Sequence, residues 1–211
     1  MYKDITAVIL SGGKSRRMGV NKSFMKIGSQ TVIEIISEIV KPLFEKVILI
    51  TDTPDKYSLL NLITYSDIYL NKGPLGGIHA GLTRAATDKI FVITCDVPLM
   101  KPEMIKYIVD YPSEKPVKVA RAGGFVQQLC GVYSKPVLPA AEIILNEEMT
   151  KNETQVPEQK NRKCMVLNLL NRVDAEIINP ENNFPGFNPE WFINMNTPDD
   201  FELVLRRISG L

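Results

Sequence analysis

A glycine-rich, positively charged segment follows the first apolar run of the chain, in the sequence LSGGKSRRMGVNK from Leu10 to Lys22. Glycines in this segment allow sharp backbone turns and leave N–H groups free to bind phosphate oxygens. No acidic residue lies between Asp4 and Glu34, whereas that stretch holds five cations: Lys14, Arg16, Arg17, Lys22 and Lys26. The segment therefore predicts a triphosphate-binding loop. The alternative interpretation is a glycine turn that carries solvated lysines.

Two familiar phosphate-binding motifs do not describe this loop. A Walker A loop needs a glycine five residues before its Gly-Lys-Ser/Thr, and the chain has Val8 at that position, ahead of Gly13. The dinucleotide fingerprint G-x-G-x-x-G is also absent from the segment. Phosphate binding is thus predicted without either motif.

The second candidate is Asp96, which follows the apolar run VITC and precedes VPL. In a parallel sheet it stands at the carboxyl end of its strand, at the same edge as the Gly12 loop. A lone carboxylate there suits Mg²⁺, which one or two carboxylates hold together with substrate phosphates. The alternative is an N-cap for the helix after Pro98.

The third candidate is the glycine-dense stretch KGPLGGIHAG, residues 72–81. The stretch could present backbone donors and a shape-selective wall to a nucleobase, and its first part consists of Gly73, Pro74, Leu75 and Gly76. Close packing of a helix on the sheet explains Gly77 and Gly81 equally well.

Short β-branched runs alternate with helical patterns up to residue 110, which is typical of βαβ units and a largely parallel sheet. The predicted strands are 6–10, 47–50, a short one near Asp67, and 90–95; the predicted helices are 31–44, 56–62, 75–86 and 100–109. These elements place the basic loop and Asp96 at one sheet edge.

The pattern loosens after residue 112. It predicts strands over 117–120 and 130–133 and helices over 138–146 and 163–171, with an exposed connection or mobile loop over 146–162. Thr197 is expected to cap a terminal helix that runs through Arg207. The length of 211 residues favours one domain, with a nucleotide-binding half over 1–110 and an acceptor-binding elaboration over 111–211.

Composition excludes several classes of protein. Twenty-five Lys and Arg against 24 Asp and Glu leave a net charge of +1, which removes the global electrostatic argument for nucleic acid or anionic membrane. Three dispersed cysteines indicate neither disulfides nor zinc, and without a leader or a long apolar run we expect a cytoplasmic protein. The only histidine, His79, is expected on a helix, so a Ser-His-Asp hydrolase is not predicted.

Four stretches together resemble one family: LSGGKSRRMGVNK at 10–22, GPLGGIHAGL at 73–82, TCDVPLM at 94–100 and NMNTPDDFE at 194–202. The first is similar to the signature loop L-A-G-G-x-S-x-R-M-G-x-D-K of the MobA-type nucleotidyltransferases, which include molybdenum cofactor guanylyltransferase. Related cytidylyl- and sugar-nucleotidyltransferases share that loop, whereas the second and last stretches favour the guanylyl enzymes. The resemblance implies an α/β fold, a three-layer Rossmann-like nucleotidyltransferase with a mostly parallel central sheet.

The resemblance also implies a reaction: transfer of GMP from GTP to molybdenum-bearing molybdopterin, with release of pyrophosphate and a requirement for Mg²⁺. By that likeness Lys22, Asp96 and Arg16 are catalytic, Lys22 binds phosphates, Arg17 helps to guard them, and Asp96 holds the metal. The implied nucleotide-binding residues are Leu10, Ser11, Gly12, Gly13, Lys22, Asp67, Gly73, Pro74, Leu75, Gly76 and Asp96. The expected partners are other molybdenum cofactor biosynthesis proteins or molybdoenzyme chaperones. Neither nucleic acid nor a membrane is expected as a partner.

Two positions depart from the signature loop: Ser11 stands where alanine is usual, and Asn21 where an acid is usual. A polar nucleotide contact expected after the second strand maps only loosely onto Thr51. Candidate pterin contacts in the second half are Arg121, Gln127, Gln128, Arg162 and Lys163. Two other functions stay open: a cytidylyltransferase acting on molybdopterin or on a small phosphorylated alcohol, and a non-catalytic nucleotide-binding carrier.

Overall fold

A seven-stranded, mostly parallel sheet forms the centre of the computed structural model, which describes residues 1–12, 21–154 and 165–209. The strands are β1 (Tyr2–Leu10), β4 (Phe44–Ile50), β5 (Ile63–Tyr65), β6 (Lys89–Thr94), β7 (Val117–Ala122), β8 (Phe125–Ser134) and β9 (Ala175–Ile178), and a separate antiparallel pair is formed by β2 (Lys26–Ile27) and β3 (Gln30–Thr31). The strand order in the large sheet is β5-β4-β1-β6-β8-β7-β9. Only the pairings of β8 with β6 and β7 are antiparallel within this sheet, among the residues described.

Helices cover both faces of the sheet, which makes three layers. They are α1 (Val32–Val40), α2 (Pro74–Arg84), α3 (Pro102–Asp110), α4 (Leu138–Thr154), α5 (Met165–Arg172), α6 (Pro180–Asn183) and α7 (Pro198–Ser209). One core lies under α1, α3 and α7, and the other under α2, α4 and α5. The central strands serve both cores: in β1, Ala7 and Ile9 face the first, and Val8 and Leu10 the second. This is why β1 ends in an unbroken apolar run from Ala7 to Leu10.

The expected alternation of strands and helices in the first half is confirmed, with three differences in detail. The predicted helix over 31–44 ends at Val40, because Pro42 cannot continue it. Phe44 instead begins β4, where its ring stacks on Phe91 at 5.5 Å between centroids. The helix predicted over 56–62 is a 3-10 helix that begins and ends two residues earlier, Pro54–Leu60. The strand expected near Asp67 ends earlier, at Tyr65.

The second half is more ordered than its sequence pattern predicts. The strands expected over 117–120 and 130–133 extend into one long hairpin, which turns at Gly123 and Gly124 with φ of +58° and +79°. The connection expected over 146–162 is wrong up to Thr154, because α4 continues through that polar stretch; residues 155–164 lie outside the described part. Strand β9, which pairs parallel to β7, was not predicted, since its sequence AEII is short.

Thr197 caps the last helix as the sequence predicts. The Asp200 amide donates to Thr197 Oγ1 at 3.2 Å, and the Thr197 amide donates to Asp200 Oδ2 at 2.7 Å. No helix in the described part of the chain is long and apolar enough to cross a membrane.

Candidate active site

The carboxyl ends of β1, β4 and β6 meet at one edge of the sheet, where the sequence places its candidate residues. Leu10 is in register with Thr94, and the Cys95 amide donates to the Leu10 carbonyl at 3.2 Å. The predicted juxtaposition of Gly12 and Asp96 is therefore confirmed. Two adjoining clefts open at this edge, and both are lined by Ser11, Gly12, Thr51, Asp52 and Asp96.

The first cleft has a volume of about 380 Å³ and opens towards the start of α2. Its lining residues are Leu10, Ser11, Gly12, Ile50, Thr51, Asp52, Asp67, Asn71, Gly73, Pro74, Gly77, Thr94, Asp96 and Leu129. A volume of this size lies in the range of small-ligand sites. Seven of the predicted nucleotide-binding residues lie here: Leu10, Ser11, Gly12, Asp67, Gly73, Pro74 and Asp96.

The glycine-dense stretch divides between the cleft and the core. Gly73 precedes α2 with φ of +65°, a conformation that strongly favours glycine, and Pro74 occupies the first helical position. Leu75 and Gly76 line neither cleft. Leu75 is fully buried in the core, and a Cβ on Gly76 would lie 3.0 Å from the Tyr69 carbonyl. The structure thus places both residues in packing positions behind the cleft wall.

Two further glycines of this helix differ in the same way. A Cβ on Gly81 would lie 2.9 Å from Val8 Cγ1, so Gly81 permits α2 to pack on β1. Gly77 lines the cleft, and a Cβ there would lie 3.0 Å from Leu10 Cδ2 and 3.7 Å from Asp67 Oδ1. The packing interpretation therefore holds for Gly81, whereas Gly77 also shapes the cleft.

A pair of carboxyl groups, Asp52 and Asp67, lies in the first cleft. Burial, the negative charge of Asp52 and a hydrogen bond with Asp52 raise the pKa of Asp67 to about 6. Asp52 was missed by the sequence analysis, although one signal existed: it follows β4, the third parallel strand that ends at this edge. Because each carboxyl can accept and one can hold a proton, the pair offers a donor and several acceptors to a ligand.

Asp52→Asn is expected to raise the free energy of unfolding at pH 7 by about 1 kcal/mol, because it removes the charge that opposes ionisation of Asp67. The pKa of Asp67 rises from 3.8 to about 6 on folding, so the folded state binds this proton more tightly than the unfolded state does. The resulting contribution to the free energy of unfolding is complete below pH 3.8 and is lost as the pH rises through 6. Two pKa units correspond to ~3 kcal/mol, and solvent screening of the part-exposed side chain reduces this figure.

Urea unfolding at pH 4 and pH 7 measures this effect. The increase in the free energy of unfolding of Asp52→Asn should be present at pH 7 and absent at pH 4, where Asp67 is protonated in the folded protein. Glu38→Gln, an exposed carboxylate of α1, is the matched control and should change neither value by more than about 0.5 kcal/mol. An equal gain at both pH values would contradict the carboxyl-pair explanation.

The second cleft contains Lys22, whose side chain is held by the far end of the chain. Lys22 Nζ donates to Asn196 Oδ1 at 3.0 Å, and the Met195 amide donates to the Asp96 carbonyl at 2.9 Å. The segment 194–197 therefore lies against two of the three predicted catalytic residues, Lys22 and Asp96. Asn196 was not predicted as a contact of Lys22, and no local sequence signal could have found a pair that is separated by 174 positions.

Asp96 lines both clefts and is half-buried. Burial raises the pKa of its carboxyl, and the positive charge of Lys22 opposes that rise. Among residues 1–12, 21–154 and 165–209, no three His, Cys, Asp or Glu side chains are grouped closely enough to hold a metal ion. Asp96 is the residue of this site that could hold a cation such as Mg²⁺, because its carboxylate lines both clefts and Mg²⁺ takes one or two carboxylates together with phosphate oxygens and water.

Several predicted residues lie away from the clefts or outside the described part. Gly13, Lys14, Arg16 and Arg17 fall outside it, as do Arg162 and Lys163, so their roles stay predictions. Arg121 and Gln127 lie on the β7–β8 hairpin and donate to the carbonyls of Gly124 and Ala122. Gln128 is on the same strand, and Thr51 is buried where both clefts meet.

His79 is a buried residue of α2, as expected, and lines neither cleft. Its Nε2 lies 3.2 Å from Glu142 Oε1 on α4, and its ring meets the edge of Tyr69 at 4.9 Å between centroids. His79 therefore links α2 to α4, two helices that lie on the same face of the sheet.

The fold has three layers, and a lysine, a carboxylate and a glycine turn lie at the carboxyl ends of its parallel strands. This arrangement is typical of α/β nucleotide-binding proteins. Comparison with known proteins makes the assignment narrower. The chain belongs to the family of the MobA-like NTP transferase domain, whose model matches residues 7–158.

Relatives extend this match over almost the whole chain. A protein of Carboxydothermus hydrogenoformans named "Probable molybdenum cofactor guanylyltransferase" is 32% identical, with 98% of each chain covered. The molybdenum cofactor guanylyltransferase of Syntrophotalea carbinolica is 30% identical over 98% of this chain and 93% of its own. The solved structure of molybdopterin-guanine dinucleotide biosynthesis protein A from Archaeoglobus fulgidus has a TM-score of 0.79 at 20% identity, covering 98% of this chain and 100% of that one. That structure supports the predicted nucleotidyltransferase fold.

Proposed function

We propose that this protein transfers GMP from GTP to the terminal phosphate of molybdenum-bearing molybdopterin and releases pyrophosphate. The observation that carries the proposal is the placement of Lys22 and Asp96 in the second cleft, beside the first cleft, which has room for a base. The names of the relatives from Carboxydothermus and Syntrophotalea favour the guanylyl reaction over the alternatives.

The chemistry requires alignment and charge neutralisation rather than a covalent nucleophile. A phosphate oxygen of the acceptor attacks the α-phosphorus of GTP, the bond between that phosphorus and the bridging oxygen to the β-phosphate breaks, and pyrophosphate leaves. Lys22 binds the triphosphate, together with the basic loop that contains Gly13, Arg16 and Arg17. When bound, Mg²⁺ would be held by Asp96 and would neutralise charge on the phosphates.

The first cleft is the proposed position of the nucleoside. Gly12, Gly73 and Gly77 line it without side chains, so a flat base can approach the backbone. Asp52 and Asp67 supply acceptors, which suit the adjacent N–H donors on the edge of guanine. The acceptor-binding role of residues 111–211 and docking with molybdenum cofactor proteins or chaperones belong to the same proposal. A cytoplasmic location is supported by the free thiols Cys95 and Cys130.

The test supplies purified protein with Mg²⁺ and molybdenum-loaded molybdopterin, and with GTP, CTP, ATP or UTP in separate reactions. Pyrophosphate release and the dinucleotide product are measured. We expect both with GTP and little of either with the other nucleotides. A preference for CTP would overturn the guanylyl assignment in favour of a cytidylyltransferase, and GTP binding without turnover would favour the carrier function.

A further inference from the structure

A buried chain of hydrogen bonds lies beneath Lys22 and joins the three strand ends at this edge. Ser11 Oγ lies 2.7 Å from the Tyr57 hydroxyl oxygen and 2.5 Å from Ser23 Oγ, and Ser23 Oγ lies 3.3 Å from Cys95 Sγ. Ser11, Ser23, Tyr57 and Cys95 are each less than 7% exposed. They come from the ends of β1 and β6, from the 3-10 helix after β4, and from the turn that carries Lys22. The turn is thus anchored to the sheet by hydroxyl groups.

Asn21 completes this chain and determines its direction. Its Oδ1 accepts from the Ser23 amide at 3.1 Å, so the other end of its side chain is the donor. Asn21 Nδ2 donates to the Tyr57 hydroxyl oxygen at 3.3 Å. Because that oxygen accepts from Asn21, the hydroxyl hydrogen of Tyr57 is free to go to Ser11 Oγ. Ser11 therefore serves as the acceptor for a fully buried tyrosine hydroxyl.

Ser11 and Asn21 are also the two positions at which this chain departs from the signature loop. The two departures are related, because both residues contact the Tyr57 hydroxyl and together decide which group accepts its hydrogen. With alanine at position 11 and asparagine at position 21, the Tyr57 hydrogen would lose its acceptor among its present contacts. With alanine at 11 and aspartate at 21, the carboxylate would accept that hydrogen instead. Either matched pair satisfies Tyr57, whereas the mixture of alanine at 11 with asparagine at 21 leaves a buried donor without a partner.

We propose that Ser11 and Asn21 are positioning residues that act as one unit through Tyr57 and hold the Lys22 turn at the phosphate site. The inference rests on the proposed function only in taking Lys22 as a phosphate-binding residue. The link to Lys22 is short: Asn21 caps the 3-10 turn Lys22–Phe24, and the amides of Phe24 and Met25 donate to the carbonyls of Asn21 and Lys22 at 3.1 Å. Loss of the anchor frees that turn and displaces the lysine.

The test compares Ser11→Ala, Asn21→Asp and the double variant. Ser37→Ala is the matched control, because Ser37 is a buried serine whose hydroxyl has no hydrogen-bond partner among the described residues. Two readouts are needed. Amide hydrogen exchange over residues 21–25 reports the turn itself, and the Kd for inorganic tripolyphosphate reports the phosphate site whichever base the other cleft prefers.

For Ser11→Ala we expect about tenfold faster exchange over residues 21–25 and about tenfold weaker tripolyphosphate binding. The double variant should return exchange to within about threefold of the original protein, and Ser37→Ala should change neither value. Because an aspartate at position 21 adds a negative charge beside Lys22, tripolyphosphate binding of the double variant is compared with that of Asn21→Asp and should match it within about threefold. Unchanged exchange and binding in Ser11→Ala would overturn the proposal, and so would exchange in the double variant that is as fast as in Ser11→Ala. If exchange responds as expected while GTP is not a substrate, the positioning unit stands and the proposed function fails.

Discussion

Asp96→Ala is expected to lower the rate of Mg²⁺-dependent nucleotidyl transfer by on the order of 10³-fold while the protein remains folded. The carboxylate stands at the end of β6 and faces both clefts. In the proposed function Asp96 holds the metal, so its loss should remove that metal contact. Initial rates of pyrophosphate release over a range of Mg²⁺ concentrations measure the effect.

Folding should not suffer from this substitution. Burial raises the pKa of Asp96, and a carboxyl of that kind gives stability at low pH that is lost as the pH rises through its folded-state value. At pH 7 the carboxylate is thus a cost to the folded state, and the free energy of unfolding of Asp96→Ala should not fall by more than about 1 kcal/mol. This separates a catalytic loss from a structural one.

Asp88→Ala is the control for Asp96. Asp88 precedes the opposite end of the same strand, is 93% exposed, and pairs with Lys135 at 3.6 Å. Its replacement should leave turnover within about twofold, since exposed ion pairs contribute little. Turnover of Asp96→Ala within tenfold of the original protein would refute the metal-binding role.

Lys22→Met is expected to weaken triphosphate binding by about 10- to 100-fold, because hydrogen bonds to a charged group contribute ~1.5–3 kcal/mol. Methionine retains much of the length of the side chain and removes its charge. The substitution also removes the bond from Lys22 Nζ to Asn196, which is exposed and should cost little stability. Isothermal titration with GTP and with inorganic tripolyphosphate measures the loss.

Both ligands should lose affinity by the same factor if Lys22 contacts phosphate alone. Lys46→Met is the control, because Lys46 is an exposed lysine of β4 that lines neither cleft. The Kd values of Lys46→Met for GTP and for tripolyphosphate should stay within about twofold of those of the original protein. A Lys22→Met protein that binds tripolyphosphate normally but GTP weakly would contradict the phosphate role and would place Lys22 at the nucleoside.

Much of the fold follows from local sequence patterns. Apolar runs such as the one that ends at Leu10 identify strands buried on both faces, and the spacing of apolar residues identifies α1 and α3. The errors occur where local signals are weak. The sequence of α4 after Asn146 is polar and lacks the apolar stripe that marks a helix, which is why α4 was predicted to end near Asn146.

The candidate site also contains residues that local sequence signals predicted and residues that they did not. Gly12 and Asp96 were predictable, because each directly follows an apolar strand and parallel strands bring their carboxyl ends to one edge. The inward position of Leu75 was not predictable, since either a core position or a cleft wall suits an apolar residue at the start of a helix. Asp52 carried a signal of the same kind as Asp96 but lay outside the family resemblance.

The sequence by itself identified candidates for phosphate and metal binding, and the strands that Gly12 and Asp96 follow, because composition, glycine placement and apolar runs are local properties. Only the tertiary structure decided which side chains meet: Lys22 with Asn196, Asp52 with Asp67, and Ser11 with Tyr57. Those contacts depend on strand order and on the packing of distant segments. Local periodicity records which face of an element is buried and carries no information about the residue that covers it.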